Sequence, residues 1–171
     1  KDQFYVLSQL MDLIIPETDI PGAKQLKLPE FLDGFIGVIF NAKAKEKIAK
    51  DLDHFIAVAL DDTGKASESQ LNKKDLDAQL AKYLKADKKQ QQAWQKEKSS
   101  HQKALKENSF LSPPATAMAY SFVFQLRSMT INAFKTNEYI GEKVLAYLPI
   151  PGQYKGCVDL NETTGGKAWS I

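Results

Sequence analysis

Residues 112–134 read SPPATAMAYSFVFQLRSMTINAF, and this stretch decides the fold. Ser112, Pro113 and Pro114 open a helix that runs from about Ala115 to Phe134. Met118, Phe122, Leu126, Met129 and Ala133 form one stripe at helical spacing. Tyr120, Phe124 and Ile131 lie on other faces. A helix that is apolar nearly all round is buried on more than one side. The segment therefore predicts a central helix with the rest of the chain packed about it. Arg127, the only arginine, falls inside it. A buried guanidinium needs a partner, and Asp33, Asp51 and Asp53 are the acids on offer.

Working outward, the segments before it also read as helices. Phe4, Leu7, Met11 and Ile14 make an amphipathic stripe that stops at Pro16. PETDIPGA, residues 16–23, follows as a rigid connector with two prolines and a glycine. Pro29 sits in the first turn of a second helix, whose apolar face is Phe31, Phe35, Ile36, Ile39 and Phe40. A third helix covers about residues 44–60, with Ile48, Leu52, Phe55, Ile56, Ala59 and Leu60 inward, and stops at Gly64. Asn72 followed by Asp75 forms a cap for a fourth, carrying Leu76, Leu80, Tyr83 and Leu84. No alternation of period two is long enough for a strand. The predicted fold is all-α, one domain of 171 residues. It is an irregular helical bundle over about 1–147 with a long non-helical C-terminal strap over about 148–171.

Two segments depart from ordinary bundle sequence. Residues 85–106 hold seven lysines against Asp87 and Glu97, with Gln90, Gln91, Gln92, Gln95 and Gln102 between them. Such a run reads as a solvated helical face, or as an arm toward an acidic partner or anionic lipid headgroups. The second is the tail. A short helix is expected over 137–147; beyond Pro149 and Pro151 the chain is irregular, yet it keeps Tyr147, Tyr154, Trp169, Cys157 and four of the nine glycines. Solvated tails are poor in aromatics, so this one is expected to lie on a surface of its own core or of a partner. Tyr147, Pro151, Tyr154, Cys157 and Trp169 are its candidate partner-binding residues.

Composition removes several classes. With 23 Lys and Arg against 21 Asp and Glu the net charge is +2, and with one arginine the chain lacks the basic excess and guanidinium forks of nucleic-acid readers. One cysteine excludes an internal disulfide, a CxxCH haem site and a Cys-rich metal site built by this chain alone. No run of 18 apolar residues is present to form a transmembrane segment. Lys1 at the start reads as a processed or truncated N-terminus, past any export signal. The histidines, His54 and His101, have no ligand-spaced companions. Glu17, Asp19 and Asp33 are acids near turns without a catalytic pattern, and Gly165-Gly166-Lys167 lacks the strand and helix of a phosphate loop. No catalytic, cofactor-binding or metal residues are assigned.

Two blocks carry a resemblance. IIPETDIPGAKQLKLPEFLDGFI, residues 14–36, places a helix ending in Ile-Ile-Pro before a Thr-Asp-x-Pro-Gly-Ala turn and a proline-led Phe-Leu-Asp helix. TNEYIGEKVLAYLPIPGQYKGCVDL, residues 136–160, has an acid and an aromatic before Gly, then Leu-x-Tyr, then Pro-x-Pro-Gly-x-Tyr-x-Gly-Cys. Together and in this order they resemble the gluconate 2-dehydrogenase subunit 3 family. That family often shows Tyr-Tyr/Phe-Thr-Ser where this chain has Phe134-Lys135-Thr136-Asn137.

The resemblance implies a small accessory subunit without a cofactor, paired with a large FAD-containing flavoprotein of the glucose–methanol–choline type that oxidises sugars or polyols. A cytochrome c subunit is the implied electron acceptor. It further implies folding assistance and twin-arginine export of the folded flavoprotein to the periplasm. In such an exported protein Cys157 is either a buried small thiol or one half of an intersubunit disulfide. The competing readings are a stand-alone periplasmic helical binding or chaperone module, and an enzyme with an unrecognised site.

Overall fold

The computed structural model describes residues 2–148, 152 and 156–170. The described fold is all-α. Helices α1 (Asp2–Ile14), α2 (Leu28–Ile39), α3 (Ala42–Thr63), α4 (Lys73–Leu84), α5 (Lys88–Ala104) and α6 (Ala115–Lys135) form the body. A 3₁₀ turn at Glu68–Gln70 precedes α4, and a π-helical turn at Ile140–Val144 follows α6. Among the described residues the only β pairing is an isolated parallel bridge between Ala146 and Trp169.

The helix ends follow local chemistry. Asn41 caps α3 by accepting from the Ala44 amide at 2.9 Å, and Gly64 closes it in the left-handed region at φ 65°. The capping box expected at Asn72 and Asp75 is present: Asn72 accepts from the Asp75 amide at 3.1 Å, and the Asp75 carboxylate accepts from the Asn72 amide at 2.8 Å. Asp87 opens α5 by accepting from the Gln90 amide at 2.7 Å. The 16–23 connector is a packed turn. Its Gly22 and Ala23 are buried, and the Ala23 amide donates to the Ile15 carbonyl at 2.9 Å. A Cβ on Gly22 would stand 2.5 Å from the Glu17 nitrogen, so the chain crosses itself there at a distance only glycine permits.

Helix α6 is central, as its sequence requires, and touches each of α1 to α5. An aromatic chain runs through the core. Phe55 meets Phe122 at 5.7 Å, Tyr83 meets Trp94 at 5.5 Å, Trp94 meets Tyr120 at 5.1 Å and Tyr120 meets Phe124 at 4.7 Å between ring centroids. These tilted and edge contacts suit the ring quadrupoles. Trp94 is the anchor that ties the otherwise polar α5 to α6.

Arg127 corrects an expectation. It is exposed, and none of Asp33, Asp51 and Asp53 is its ion-pair partner. Asp51 is buried and pairs with Lys47 one turn earlier, and Asp53 accepts from Gln3 Nε2 at 2.5 Å. The apolar coverage of α6 leaves a gap between α1 and α4. Arg127 lines that shallow gap beside Leu13, Leu84 and Asp77. A long stem can cover apolar surface there while the guanidinium stays in water.

The C-terminal segment differs twice from expectation. The helix expected over 137–147 is one short turn running into the π turn, and it ends at Val144. The strap is not wholly non-helical: α7 (Leu160–Thr164) lies within it. Asp159 caps α7 by accepting from the Asn161 and Glu162 amides at 2.9 and 3.0 Å, and Gly165 ends it at φ 63°. This Asp cap and Gly stop bracket only five residues, too short to show helical periodicity.

Candidate partner-docking surface

Helix α2 is the most apolar helix of the body and one of the least buried. Its Leu28, Pro29 and Leu32 are buried and Ile36 is half-buried, so a single narrow stripe holds it to the body. The rest faces outward: Phe31 is 53% exposed, Phe35 42%, Val38 82% and Ile39 62%. Phe31 and Phe35, one turn apart, stack at 6.0 Å, and Phe35 meets Phe40 edge-on at 6.1 Å. Phe31, Phe35, Ile36, Ile39 and Phe40 were expected to form one apolar face. Instead the helix has two apolar faces, and the body covers one. Eight of its twelve residues are apolar, too many for one stripe of a surface helix. That excess was the available signal.

Two clefts flank α2. The first, about 270 Å³, lies against α1, α3 and α6, with Phe4, Leu7, Ile36, Leu52 and Met129 in its wall and Asp33 and Lys45 in its lining. Lys45 Nζ donates to the Gly37 carbonyl at 2.5 Å, satisfying an acceptor in the last turn of α2. The second, about 260 Å³, runs along the C-terminal half of α6 between Phe31, Phe35, Phe40, Met129 and Ala133. The helix is thus a ridge with apolar grooves on both sides. Scattered exposed apolar residues are ordinary, whereas a contiguous patch of this kind marks an interaction site.

The sequence-selected strap residues are placed only in part. Tyr147 is 53% exposed and Trp169 46% exposed. Backbone pairing joins their neighbourhoods: the Ala146 amide donates to Ala168 and the Ser170 amide to Ala146, each at 2.9 Å. The end of the strap is thereby held on the π turn, where a Cβ on buried Gly141 would come within 3.0 Å of Ser170 Oγ. Cys157 is exposed, so in this chain it is not the buried small thiol. Pro151 and Tyr154 lie outside the described residues.

Other polar features do not assemble a reactive centre. His54 and His101 are half-buried on separate helices, and among the described residues no three of His, Cys, Asp and Glu converge. Lys98 reaches from α5 to the Ser121 hydroxyl on α6. Burial, reinforced by Lys47, holds this lysine below its usual range. Nearby Gln95 Nε2 donates to the Tyr120 hydroxyl at 3.2 Å. These bonds stitch α5 to α6. Among the described residues no helix is long and apolar enough to cross a membrane.

The most developed surface of this all-α chain is the exposed aromatic face of α2. The family model described as Gluconate 2-dehydrogenase subunit 3 matches residues 1–152, and the chain belongs to that family. The matched residues include the 16–23 turn, α2 and the π turn. Comparison with curated proteins and with solved structures gave no match.

Proposed function

We propose that this chain is the non-catalytic small subunit of an exported FAD-dependent sugar or polyol dehydrogenase. In this reading the flavoprotein large subunit holds the FAD and does the chemistry. A cytochrome c subunit takes the electrons. The small subunit docks on the flavoprotein, assists its folding and accompanies it through twin-arginine export to the periplasm. The family supports a dehydrogenase complex. The observation that carries the docking step is the exposed Phe31, Phe35, Val38 and Ile39 face of α2.

A helix ridge of this kind suits a partner that offers a groove, read by residues at i, i+4 and i+7 or i+8. Phe31, Phe35, Val38 and Ile39 have that spacing.

The test is co-expression of the chain with the large subunit of its native host, followed by size-exclusion chromatography and absorbance spectra. A complex with flavin bands in the large subunit is the expected result, together with export of the flavoprotein only when the small subunit is present. A flavoprotein that folds, is exported and elutes alone in the presence of this chain would overturn the proposal.

A further inference from the structure

A second surface lies at the other end of the molecule from the α2 ridge. Helix α5 contacts the N-terminal half of α6 through Trp94, Gln95 and Lys98, which meet Tyr120 and Ser121. Helix α2 meets α6 at Met129, Ala133 and Thr136. The outward side of α5 carries Lys89, Lys96 and Lys103, seven residues apart, all exposed. Seven residues are two helical turns, so the three form a straight row about 20 Å long. Lys106, also exposed, follows just past the helix end.

Every ion pair among the described residues uses a lysine at position 82 or earlier; none involves α5. The whole chain is only +2, while residues 85–106 carry seven lysines against two acids. The positive excess is therefore concentrated on this segment.

At the end of the row stands the most exposed large apolar side chain described. Phe110 is 94% exposed and its neighbour Leu111 38%. The loop that presents them is built. Asn108 Oδ1 accepts from the Phe110 amide at 3.0 Å, and the His101 ring reaches the Leu111 carbonyl at 3.4 Å. Pro113 and Pro114 stiffen the return to α6. An aromatic this exposed is left for a partner surface to cover.

We propose that this surface binds an anionic lipid bilayer, with Phe110 and Leu111 entering the headgroup–acyl boundary and Lys89, Lys96, Lys103 and Lys106 lying along the charged headgroups. A basic row beside an apolar wedge is the chemistry of interfacial attachment. A bilayer is preferred to an acidic protein for two reasons. The row is straight and evenly spaced, which suits a laterally uniform charged plane. Phe110 stands 94% exposed at the end of that row, and a lipid surface can deform to enclose it. The inference does not depend on the identity of any protein partner.

The experiment is vesicle flotation of the full chain with phosphatidylcholine vesicles containing 0 or roughly one third phosphatidylglycerol. Binding is expected only on the anionic vesicles, weakening as salt shortens the Debye length below about 8 Å. Lys89→Gln, Lys96→Gln and Lys103→Gln together should lower it roughly a hundredfold, about fivefold per lysine. Phe110→Ser with Leu111→Ser should lower it at least roughly tenfold with the charge intact. As an independent readout, Phe110→Trp should gain fluorescence quenching by bromolipids relative to the parent. Equal binding to neutral vesicles, no binding to anionic ones, or a Phe110–Leu111 variant that floats like the parent would overturn the proposal. So would capture of an acidic protein by a chain that does not float.

Discussion

Replacing Phe31 and Phe35 by serine should abolish docking of the large subunit while leaving the small subunit folded. Burying a phenylalanine removes about 150–250 Å² from water. With Phe31 53% and Phe35 42% exposed, roughly 100 and 80 Å² of ring remain for a partner to cover. At about 25 cal/mol per Å² each ring contributes roughly 2 to 2.5 kcal/mol to the complex. The double variant should therefore lose roughly 4 kcal/mol, close to a thousandfold in Kd. The cost to the isolated chain is smaller, because the exposed halves do not hold the fold. It is the buried halves and the Phe31–Phe35 stack, the latter worth about 1 kcal/mol. Titration of the large subunit by calorimetry gives the affinity, and urea unfolding of the free chain gives the stability. Leu32→Ala, at a buried position of the same helix, should show the reverse pattern: a stability loss of about 2–5 kcal/mol with the outer face intact. A folded Phe31→Ser, Phe35→Ser chain that binds the large subunit within about threefold of the parent, less than 1 kcal/mol, would refute the assignment of α2 as the docking ridge.

Gly22→Ala should destabilise the chain by about 1–3 kcal/mol, since its Cβ would fall 2.5 Å from Glu17 N and 2.8 Å from the Pro16 carbonyl carbon. In urea the midpoint should drop by roughly 1 M, and an unchanged midpoint would show that the turn opens freely. Asp62 is held below the ordinary aspartate value of 3.8 by its bonds to Lys82 and Gln79, and Asp75 likewise by Lys65 and the Asn72 amide. On acidification these carboxyls take up protons later in the folded state than in the unfolded one, so their contribution is full above about pH 4 and fades below it. Asp62→Asn should flatten that acid loss in a pH series of urea midpoints; a parallel curve would assign the loss elsewhere. Exposed Cys157 should give, on a non-reducing gel of the oxidised complex, a band at the summed mass that disappears on reduction and in Cys157→Ser. Separate bands would leave a free thiol.

What the sequence made legible was local. Met118, Phe122, Leu126, Met129 and Ala133 name the inward stripe of α6 because a helix repeats on itself, with no need of its neighbours. Asn72 and Asp75 name a helix start for the same reason, and Pro21-Gly22 a turn. Arg127 was misplaced because the same periodicity, read as coverage all round, hid a narrow gap between α1 and α4. The Ala146–Trp169 bridge joins residues 23 apart through main-chain groups, which carry no side-chain signature.

The decisive miss concerns α2. Periodicity can say that Phe31, Phe35 and Ile39 are apolar and share a helix with Leu28 and Leu32, but it cannot say how many neighbours that helix has. The body supplies partners for one stripe, along α1 and α6. The second apolar face is left unmatched by this chain. Its cost in water is the same few kcal/mol that a partner recovers on covering it. The turn at 16–23 and the proline-led start of α2 fix the pose of that ridge: the Lys27 cap, held in the left-handed region at φ 54°, and Pro29 in the first turn set where the helix begins, and buried Gly22 sets how closely the preceding loop approaches. The first of the two sequence blocks that carry the resemblance is thus, in three dimensions, the mount of the proposed docking helix. A substitution that loosens the turn should weaken docking even where it leaves Phe31 and Phe35 in place, because a ridge free to tilt must first be ordered before it can bind.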